Sequence, residues 1–579
     1  MKHAVLLAAL LACAANARPE SAKPLPWPAV DGLGRSLSVD VRIPRGDKFV
    51  GVFYYIWHGA HGYDGSNDAG MDADQGPQAK TASSYKSPYV IPEILKHPAE
   101  SRLWGPPGAF HHWGESRWGF YLPDDEWVIR KNAQLLADAG VDVIFFDVTN
   151  GFTYRHTYLE ICRVYTAMRK EGNPTPQIAF LAWNGDQAAP QVYEDFYKKG
   201  LYKELWFQWK GKPLILCKSS QLTPEMKAFF THRESWAWTD PGQWFGNGQD
   251  KWPWLASTPQ NFGWHESADK PEQVAVATAE HPNSNKGKSF HDGKQPPPAE
   301  QHTERGLYFA EQWKRALQIN PEFIFITQWN EWMAQRFIAD GPMNFAGGKI
   351  AKGDSYFVDL YTMEYNRDIE PMRGGYSDNY YYQMVDGIRR FKGIPRFPTT
   401  EYRDDRGDIF HRNHAGYGSA GPYINETGRN DIVSAHVQCD DALVRIGATT
   451  ANPLSPSTDA NWMMLFIRTD AGQPGWEGFQ FVINRQPPKD GKALLERLGT
   501  GVHLEPIPLD MQLEERRVTI AIPRRFLERK IGAPLEFGFK WADNMQKLDD
   551  ATDWMVSGDA APNSRFVYTF READQVLSK

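Results

Sequence analysis

Apolar runs of strand length recur along residues 46–397, and helical stretches separate several of them. The first run, VGVFYYIWHG, begins at Val50 and is apolar at nearly every position. A strand that is apolar on both faces is typical of a parallel sheet with helices on both sides. Similar runs lie at 141–148, 177–185, 212–218, 235–240, 262–267 and, in the segment FIFITQWNEW, at 323–332.

The clearest single unit is PDDEWVIRKNAQLLADAGVDVIFFDVTNG. Asp124 is placed to cap a helix, Gly140 to end it, and a buried strand follows, with Asp147 near its carboxyl end. No Gly-rich phosphate loop follows any of the predicted strands. The repeated alternation therefore predicts a (β/α)8 barrel over residues 46–397 rather than an open Rossmann sheet.

Beyond Pro395 the pattern changes to period-two alternation, as at Leu535, Phe537, Phe539 and Trp541. This pattern predicts a C-terminal antiparallel β-sandwich over residues 398–579. Residues 18–45 are Pro-rich without periodicity and predict a linker or a strap over the surface. Two domains agree with a chain of 579 residues, which is too long for one core.

The first 17 residues, MKHAVLLAALLACAANA, predict a secretory signal peptide, because their apolar run is too short to cross a bilayer. We expect a secreted or periplasmic protein. Cys13 offers an alternative, a lipidation site that would make the protein an outer-membrane lipoprotein. Cys162, Cys217 and Cys439 then remain, and this odd number argues against a disulfide framework.

The formal net charge is -7 and there is no basic run, so we expect no nucleic-acid partner. The 22 tryptophans supply flat apolar faces of the kind that stack on sugar rings, although core packing is their ordinary role.

Polar side chains collect at the predicted carboxyl ends of the strands, where (β/α) barrels place their active sites. They are Trp57, His58, Asp147, Trp183, Asn184, Asp186, Asp240, His265, Glu266, Asn330 and Glu331. The polar segment 281–306 is too long for an ordinary connection and predicts a lid or a disordered insertion.

Glu331 stands between Trp329 and Trp332, an environment that would raise its pKa toward the range of a general acid. The alternative is a structural glutamate paired with Arg336. Glycoside cleavage generally uses a second carboxylate. Its candidates are Asp147, Glu266, Asp240 and Glu370, and the predicted sugar-binding set is Trp57, His58, His112, Trp113, Trp183, Asn184, Asp240, His265, Trp329, Asn330, Trp332 and Arg336.

Metal sites are not expected from the histidines His58, His111, His112 and His265, because neither an HExxH motif nor a cysteine pair accompanies them. The segment 63–74 has several oxygen ligands and offers a structural calcium loop. It departs from an EF-hand at Ala69 and Gln75, so we expect no cofactor and keep calcium as the alternative.

The segments GVFYYIWHG, FHHWGE, AGVDVIFFDVTNG and FITQWNEW together resemble the glycoside hydrolase barrels related to families 71 and 99, including WbsX-type proteins. The resemblance covers residues 49–392 and implies a (β/α)8 glycosidase with Glu331 as the first catalytic glutamate. The second glutamate of the endomannosidases falls on Ala334 here. Either Glu370 takes a related place, or an insertion brings Asp359 or Glu364 into the site.

The C-terminal segments NDIVSAHVQCDD, GWEGFQFVINR and FKWADN are similar to carbohydrate-binding modules of family 9. Trp462, Trp476 and Trp541 are candidates for a sugar platform, with Trp541 expected to be buried. The sequence thus predicts a secreted glycoside hydrolase that acts on a polysaccharide or complex glycan. The alternatives are a non-catalytic glycan-binding surface protein and a polysaccharide lyase.

Overall fold

The computed structural model describes residues 21–39, 43–58, 90–239, 244–345, 348–397, 401–417, 420–469, 475–499, 505–528 and 533–576. The predicted leader with Cys13, the candidate calcium loop at 63–74, and Asp240 lie outside these ranges. None of the helices within the ranges is long and apolar enough to span a membrane.

Up to residue 397, helices and strands alternate. The helices are α1 (Ile91–Ile94), α2 (Glu126–Ala139), α3 (Arg155–Glu171), α4 (Ala188–Val192), α5 (Pro224–Phe229), α6 (Leu307–Ile319) and α7 (Asn379–Lys392). The strands are β1 (Phe49–Tyr54), β2 (Phe110–His112), β3 (Val143–Val148), β4 (Gln177–Ala182), β5 (Gln208–Trp209), β6 (Lys212–Leu216), β7 (Thr231–Arg233), β8 (Phe262–Trp264), β9 (Pro271–Val276), β10 (Phe323–Ile326), β11 (Met333–Ile338), β12 (Met343–Phe345), β13 (Gly348–Ile350) and β14 (Ser355–Phe357).

The main sheet of this part is a curled half-barrel with the order β5–β6–β4–β3–β1–β10–β9–β8 and β7 beside β6. Pairing is parallel from β1 through β3, β4 and β6 to β7, and from β1 through β10 to β9. The described residues do not show the predicted regular (β/α)8 barrel, because only isolated parallel bridges, Glu234–Lys251 and Ala237–Leu255, lie between β7 and β9. Pro253, which has no N–H to donate, lies in this stretch.

The predicted helix–Gly–strand unit is present as α2, Gly140 and β3. Its N-cap is Asp125 and not the predicted Asp124, because the Asp125 side chain accepts a hydrogen bond from the N–H two residues later, at 3.1 Å. Gly140 ends α2 in the left-handed conformation, with φ of 81°. This unit brings Asp147 to the carboxyl end of β3, beside β1.

A small sheet borders the carboxyl ends of β1 and β10. In it β11 pairs antiparallel with β2 on one side and with β14 on the other. A two-stranded ladder of β12 and β13 lies between β11 and β14 in the chain. Because β11 begins directly after Trp332, this sheet positions the Asn-Glu-Trp segment.

The C-terminal part is antiparallel, as predicted, but its main sheet is one continuous sheet and not a sandwich of two, and Arg412–Ala415 pairs with Pro422–Asn425 in a separate two-stranded sheet. The continuous sheet has the order β15–β18–β19–β24–β23–β22–β21–β20–β25–β26, with β27 beside β25. It is nearly closed, since the Ile432 N–H of β18 donates to Asp559 of β26 at 2.6 Å. The elements are β15 (Glu401–Arg403), β16 (Arg412–Ala415), β17 (Pro422–Asn425), β18 (Ile432–Cys439), β19 (Leu443–Thr450), β20 (Met464–Arg468), β21 (Phe481–Ile483), β22 (Lys492–Arg497), β23 (Ile507–Glu514), β24 (Arg517–Pro523), β25 (Glu536–Asp543), β26 (Asp559–Ala561), β27 (Tyr568–Arg571) and α8 (Glu572–Val576).

Of the three candidate platform tryptophans, Trp462 and Trp541 are buried. Trp476 is half-buried and packs against Trp554, with ring centroids 5.2 Å apart. Only Trp476 therefore presents appreciable indole surface to solvent.

Residues 21–39 cross the surface as a strap that contacts both parts of the chain. The Leu25 N–H donates to the Asp138 carbonyl of α2, and the Pro28 carbonyl accepts from the Val567 N–H, both at 2.9 Å. Trp27 is buried and packs edge-on against Tyr568. The hydrophobic core runs without interruption from the curled sheet into the C-terminal part.

Arg412 holds the C-terminal part on α2. Its Nε donates to Asp125 Oδ2 and its Nη1 to the Trp118 carbonyl, both at 2.8 Å in a buried setting. We expect Arg412→Gln to lower the free energy of unfolding by about 3–5 kcal/mol, because Asp125 would keep a buried charge without its partner.

Chemical denaturation measures this loss. The matched control is Arg445→Gln, which breaks an exposed pair with Asp440 and should cost far less, because solvent screens exposed ion pairs. Equal losses for the two variants would contradict the anchoring role of Arg412.

Candidate active site

The chain turns sharply after β10. Gln328 has a left-handed backbone with φ of 64°, which is uncommon for a residue other than glycine. Asn330 then clamps Tyr55, since its Oδ1 accepts from the Tyr55 N–H at 2.8 Å and its Nδ2 donates to the Tyr55 carbonyl at 3.2 Å. The amide predicted to bind sugar is thus used inside the protein, where it fixes Glu331 beside β1.

Glu331 is 4% exposed, and two donors contact its carboxyl group. The Tyr55 hydroxyl donates to its Oε1, and Arg367 Nη2 lies 3.4 Å from its Oε2. The Glu331 N–H donates to Asp368 Oδ1 at 2.5 Å. Arg336, the predicted alternative partner, instead donates to a serine hydroxyl of β14 at 2.7 Å. The arginine that contacts Glu331 is Arg367.

Arg367 joins Glu331 to a second carboxylate, Asp359. Its Nη2 lies 3.3 Å from Asp359 Oδ2, and His281 Nε2 lies 2.9 Å from Asp359 Oδ1. Because one guanidinium nitrogen contacts both carboxylates, the two contacting oxygens are at most about 6.7 Å apart, the combined length of both contacts. Arg367 is itself held by the Glu280 carbonyl, which accepts from Nη1 at 2.6 Å.

The two carboxyl groups have opposite pKa shifts. Burial, together with the charges of Asp359 and Asp368, raises the pKa of Glu331 well above its usual value in spite of Arg367. Burial also acts to raise the pKa of Asp359, but Arg367 and His281 outweigh it and lower this pKa to about 2. The shifts therefore favour the protonated form of Glu331 and keep Asp359 ionised at neutral pH.

Both groups border a cavity of about 320 Å³ next to β1 and β3. Its wall is largely apolar and includes Trp57, Phe110, Phe152, Met333 and Val358. The Asp359 side chain is 29% exposed, as expected for a group that faces open space. A cavity of this size is at the lower end of the range for small-molecule sites.

Asp147 also lines this cavity, and among the described residues it and Asp359 are the two predicted partners of Glu331 that do so. Asp147 Oδ2 accepts from Trp57 Nε1 at 3.0 Å, and its Oδ1 accepts from the Thr149 N–H at 2.9 Å. These bonds orient both Asp147 and Trp57 at the cavity wall.

Glu370 lies in the protein interior behind Trp332. It is fully buried, Asn132 Nδ2 donates to it at 2.7 Å, and the indole Nε1 of Trp332 also donates to it. Burial raises the pKa of Glu370 to about 7. The structure places it outside the residues that line the cavity.

Two other acidic candidates have partners elsewhere. Glu266 lies on the surface and pairs with Lys270 at 2.6 Å. Glu364 accepts from the Ser289 N–H at 2.9 Å and from the Ser289 hydroxyl at 2.7 Å. It thereby anchors the segment 281–306, which is packed and irregular, with short 3₁₀ turns at Pro282–Ser284, Pro298–Glu300 and Thr303–Arg305.

Three of the predicted sugar-binding tryptophans, Trp113, Trp329 and Trp332, are fully buried. Trp113 stacks on Trp332 with ring centroids 4.9 Å apart, and its Nε1 donates to the Glu331 carbonyl at 2.8 Å. These indoles support the Glu331 segment from behind, and they have no free face for a sugar ring. Trp57 is the member of the predicted set that lines the cavity.

The histidines His58 and His112 are also buried. His58 Nε2 lies 2.7 Å from the Asn330 carbonyl oxygen. Burial lowers the pKa of His58 to about 4 and that of His112 well below its usual value, so both are neutral at physiological pH. They belong to the packing behind the Asn-Glu-Trp segment.

An indole shelf lies next to the cavity at the end of β4. Trp183 is half-buried and stacks on Trp236 with ring centroids 4.8 Å apart. Asn184 is exposed, and its N–H donates at 2.8 Å to the carbonyl of Thr149, a cavity residue. His265 is exposed as well and pairs with Asp250 at 2.5 Å.

Tyr55, Arg367 and His281 were not predicted as site residues. Tyr55 lies in the first apolar run, where its aromatic ring suits a buried strand and conceals its hydroxyl. Arg367 and His281 lie in irregular segments, and neither has a local motif that would mark it.

No protein-family model matches the chain, and no curated protein matches it in sequence. Among solved structures, it aligns with an endo-α-mannosidase of glycoside hydrolase family 99 from Bacteroides thetaiotaomicron in complex with BIS-TRIS-Propane. That alignment is 14% identical, covers 48% of this chain and 88% of the other, and has a TM-score of 0.27. A second structure of this enzyme is 13% identical, with 59% and 97% covered and a TM-score of 0.29. At these TM-scores the likeness by itself establishes neither fold nor activity.

Proposed function

We propose that this protein is a glycoside hydrolase that cleaves a polysaccharide or complex glycan, with Glu331 as general acid and Asp359 as its ionised partner. The observation that carries the proposal is the contact of one Arg367 nitrogen with both carboxyl groups at a cavity wall. Two neighbouring carboxyls whose pKa values are driven apart provide the acid and the anion that this chemistry requires.

In the proposed reaction, Glu331 transfers its proton to the glycosidic oxygen while the bond from that oxygen to the anomeric carbon breaks. Asp359 bonds to the anomeric carbon from the opposite face and forms a glycosyl ester. Water then attacks this carbon, Glu331 takes up a proton from the water, and Asp359 leaves as a carboxylate. Arg367 keeps Asp359 ionised, and Tyr55 orients Glu331.

The shelf of Trp183 and Trp236 provides a further sugar position beside the cavity. Flat indole surface suits the C–H face of a ring, and Asp147 and Thr149 in the cavity wall offer polar atoms for hydroxyl groups. An arrangement that continues beyond a single ring favours a chain substrate over a monosaccharide derivative.

The test is to incubate purified protein with a panel of polysaccharides and glycans and to measure reducing ends and ultraviolet absorbance together. Release of reducing ends without new absorbance supports the hydrolase. New absorbance from an unsaturated product would reject the hydrolase and favour a polysaccharide lyase. Binding without either signal would favour the non-catalytic glycan-binding alternative.

The architecture proposed for this activity is a (β/α)8 barrel over residues 46–397 and a carbohydrate-binding module over 398–579. Residues 250–255 are candidates for the remaining barrel strand, since the Trp252 N–H donates to the Glu234 carbonyl at 2.8 Å and the Trp254 N–H to the Trp236 carbonyl at 3.1 Å. Trp476, which is half-buried, is the candidate indole for a module that binds sugar.

We expect the activity to decrease at alkaline pH. The general acid Glu331 must be protonated, and it loses its proton as the pH rises through its raised pKa. Asp359, with a pKa of about 2, stays ionised over the working range. Tyr55→Phe removes a hydrogen bond that favours the Glu331 carboxylate. We expect this variant to move the alkaline limb of kcat/KM to higher pH.

The matched control is Tyr121→Phe, which removes a hydroxyl that donates to Glu370 at 3.1 Å. It should leave the alkaline limb where it is in the wild type. A shift to lower pH in Tyr55→Phe, or equal shifts in both variants, would contradict the assignment of Glu331 as the titrating acid.

A further inference from the structure

A cluster of carboxylates lies where α2 meets the C-terminal part, outside the residues that line the cavity. Asp404, Asp408 and Asp559 each place one oxygen so that these atoms all lie within 4.8 Å of one another. Asp138 of α2 lies near enough for charge effects, because burial and then the charges of Asp405 and Asp408 raise its pKa. Three segments that are distant in the chain, around residues 138, 404–408 and 559, thus bring carboxylates together.

Three oxygens of this cluster are buried without a hydrogen-bond partner among the described residues. They are Asp138 Oδ2, Asp404 Oδ2 and Asp408 Oδ1. Asp138 is only 6% exposed. Because buried polar atoms are almost always paired, three such oxygens in one place indicate a binding partner of opposite charge.

The nearby lysines do not supply this charge. Lys540 Nζ donates to the carbonyls of Pro562 and Phe566, the latter at 3.2 Å. Lys131 Nζ donates at 3.0 Å to the backbone carbonyl of Asp408 and not to its carboxylate. Both ammonium groups are therefore directed at backbone oxygens and not at the carboxyl oxygens of the cluster.

We propose that Asp404, Asp408 and Asp559 bind a calcium ion, with Asp138 facing the same ion from α2. An all-oxygen set of ligands suits a hard cation. Ca²⁺ accepts irregular sets of carboxylate oxygens, whereas Mg²⁺ requires a near-octahedral arrangement and usually keeps several waters. The ion would tie α2 to the C-terminal strands, whatever reaction the cavity performs.

The test uses the full-length protein, stripped of metal with a chelator and then titrated with Ca²⁺. We expect calorimetry to show saturable uptake at this site, and thermal unfolding to show a rise in Tm of several degrees, because a ligand that binds only the folded state stabilises it. Asp404→Asn and Asp408→Asn should lose this uptake. The matched control is Asp510→Asn, an exposed position in the same part of the chain, and it should behave like the wild type.

The sign of the change without Ca²⁺ separates ion binding from a merely structural role. In chelator, Asp404→Asn should unfold at the same temperature as the wild type or higher, since it relieves repulsion between carboxylates. In Ca²⁺ it should unfold lower. A variant that is destabilised equally in both conditions would overturn the proposal.

A metal-stripped wild type that takes up no Ca²⁺ would overturn it too. Uptake that persists unchanged in both cluster variants would assign the ion to another site and likewise refute this one. Asp138→Asn tests the same site from α2 if a variant on the C-terminal side fails to fold.

Discussion

Glu331→Gln will lower turnover on the natural glycan by about 10²- to 10⁴-fold while Tm stays close to that of the wild type. The amide keeps the size of the side chain and can still accept from the Tyr55 hydroxyl. It has no acidic proton for the leaving oxygen. Because burial raises the pKa of Glu331 and so favours its neutral form, we expect replacement by a neutral amide to remove little electrostatic stabilisation.

The leaving group distinguishes a general acid from other roles. A glycosyl fluoride or a dinitrophenyl glycoside of the same sugar departs without protonation, so Glu331→Gln should retain much more of the wild-type rate on it than on the natural substrate. Initial rates on both substrates measure this. Equal losses on both would reject Glu331 as the acid.

Glu364→Gln is the matched control, since Glu364 is a buried glutamate whose oxygens accept from Ser289. It should lower Tm because it removes a buried acceptor, and it should leave the rate per folded molecule largely unchanged. If Glu331→Gln instead lowered Tm and kept its rate, while Glu364→Gln kept its Tm and lost its rate, the assignment of Glu331 as the general acid would be contradicted.

Much of the fold around the site is predictable from the sequence, because β1, β3 and β10 are buried on both faces and their side chains are apolar at nearly every position. β9 is different. Its segment opens with Pro271, Glu272 and Gln273, so its pattern does not indicate a buried strand. Glu272 is buried only because Arg233, distant in the chain, pairs with it at 2.7 Å. The run at 262–267 was predicted instead, and β8 there pairs antiparallel with β9.

The site shows the same division between local and distant causes. The desolvation of Glu331 between two indoles follows from neighbouring residues, and its burial agrees with that prediction. Which way the indoles face does not follow, because the turn at Gln328 directs Trp329 and Trp332 into the core. The partner carboxylate depends on β11 and β14, whose pairing carries the chain back to Asp359. Asp359 was only one of several alternatives in the sequence.

Asp359→Asn will lower turnover on the order of 10⁴-fold or more, on natural and activated substrates alike. An amide cannot attack the anomeric carbon, and a better leaving group does not replace that step. The variant should also lose thermal stability, since Arg367 would lose the ionised partner that lies 3.3 Å away. Rates must therefore be expressed per folded molecule, and Glu331→Gln measured on the same substrates supplies the contrast.

The separation of the two carboxyls predicts the stereochemistry of the same reaction. The oxygens that contact Arg367 are at most about 6.7 Å apart, which is compatible with the 5–5.5 Å or so between the carboxyl groups of retaining glycosidases and does not require the inverting spacing of about 6.5–9.5 Å. We expect the first product seen by NMR to keep the anomeric configuration of the substrate, with Asp359 as the nucleophile. An inverted product would make Asp359 the base that activates water. If Asp359→Asn were fully active on either substrate, Asp359 would have no part in the mechanism.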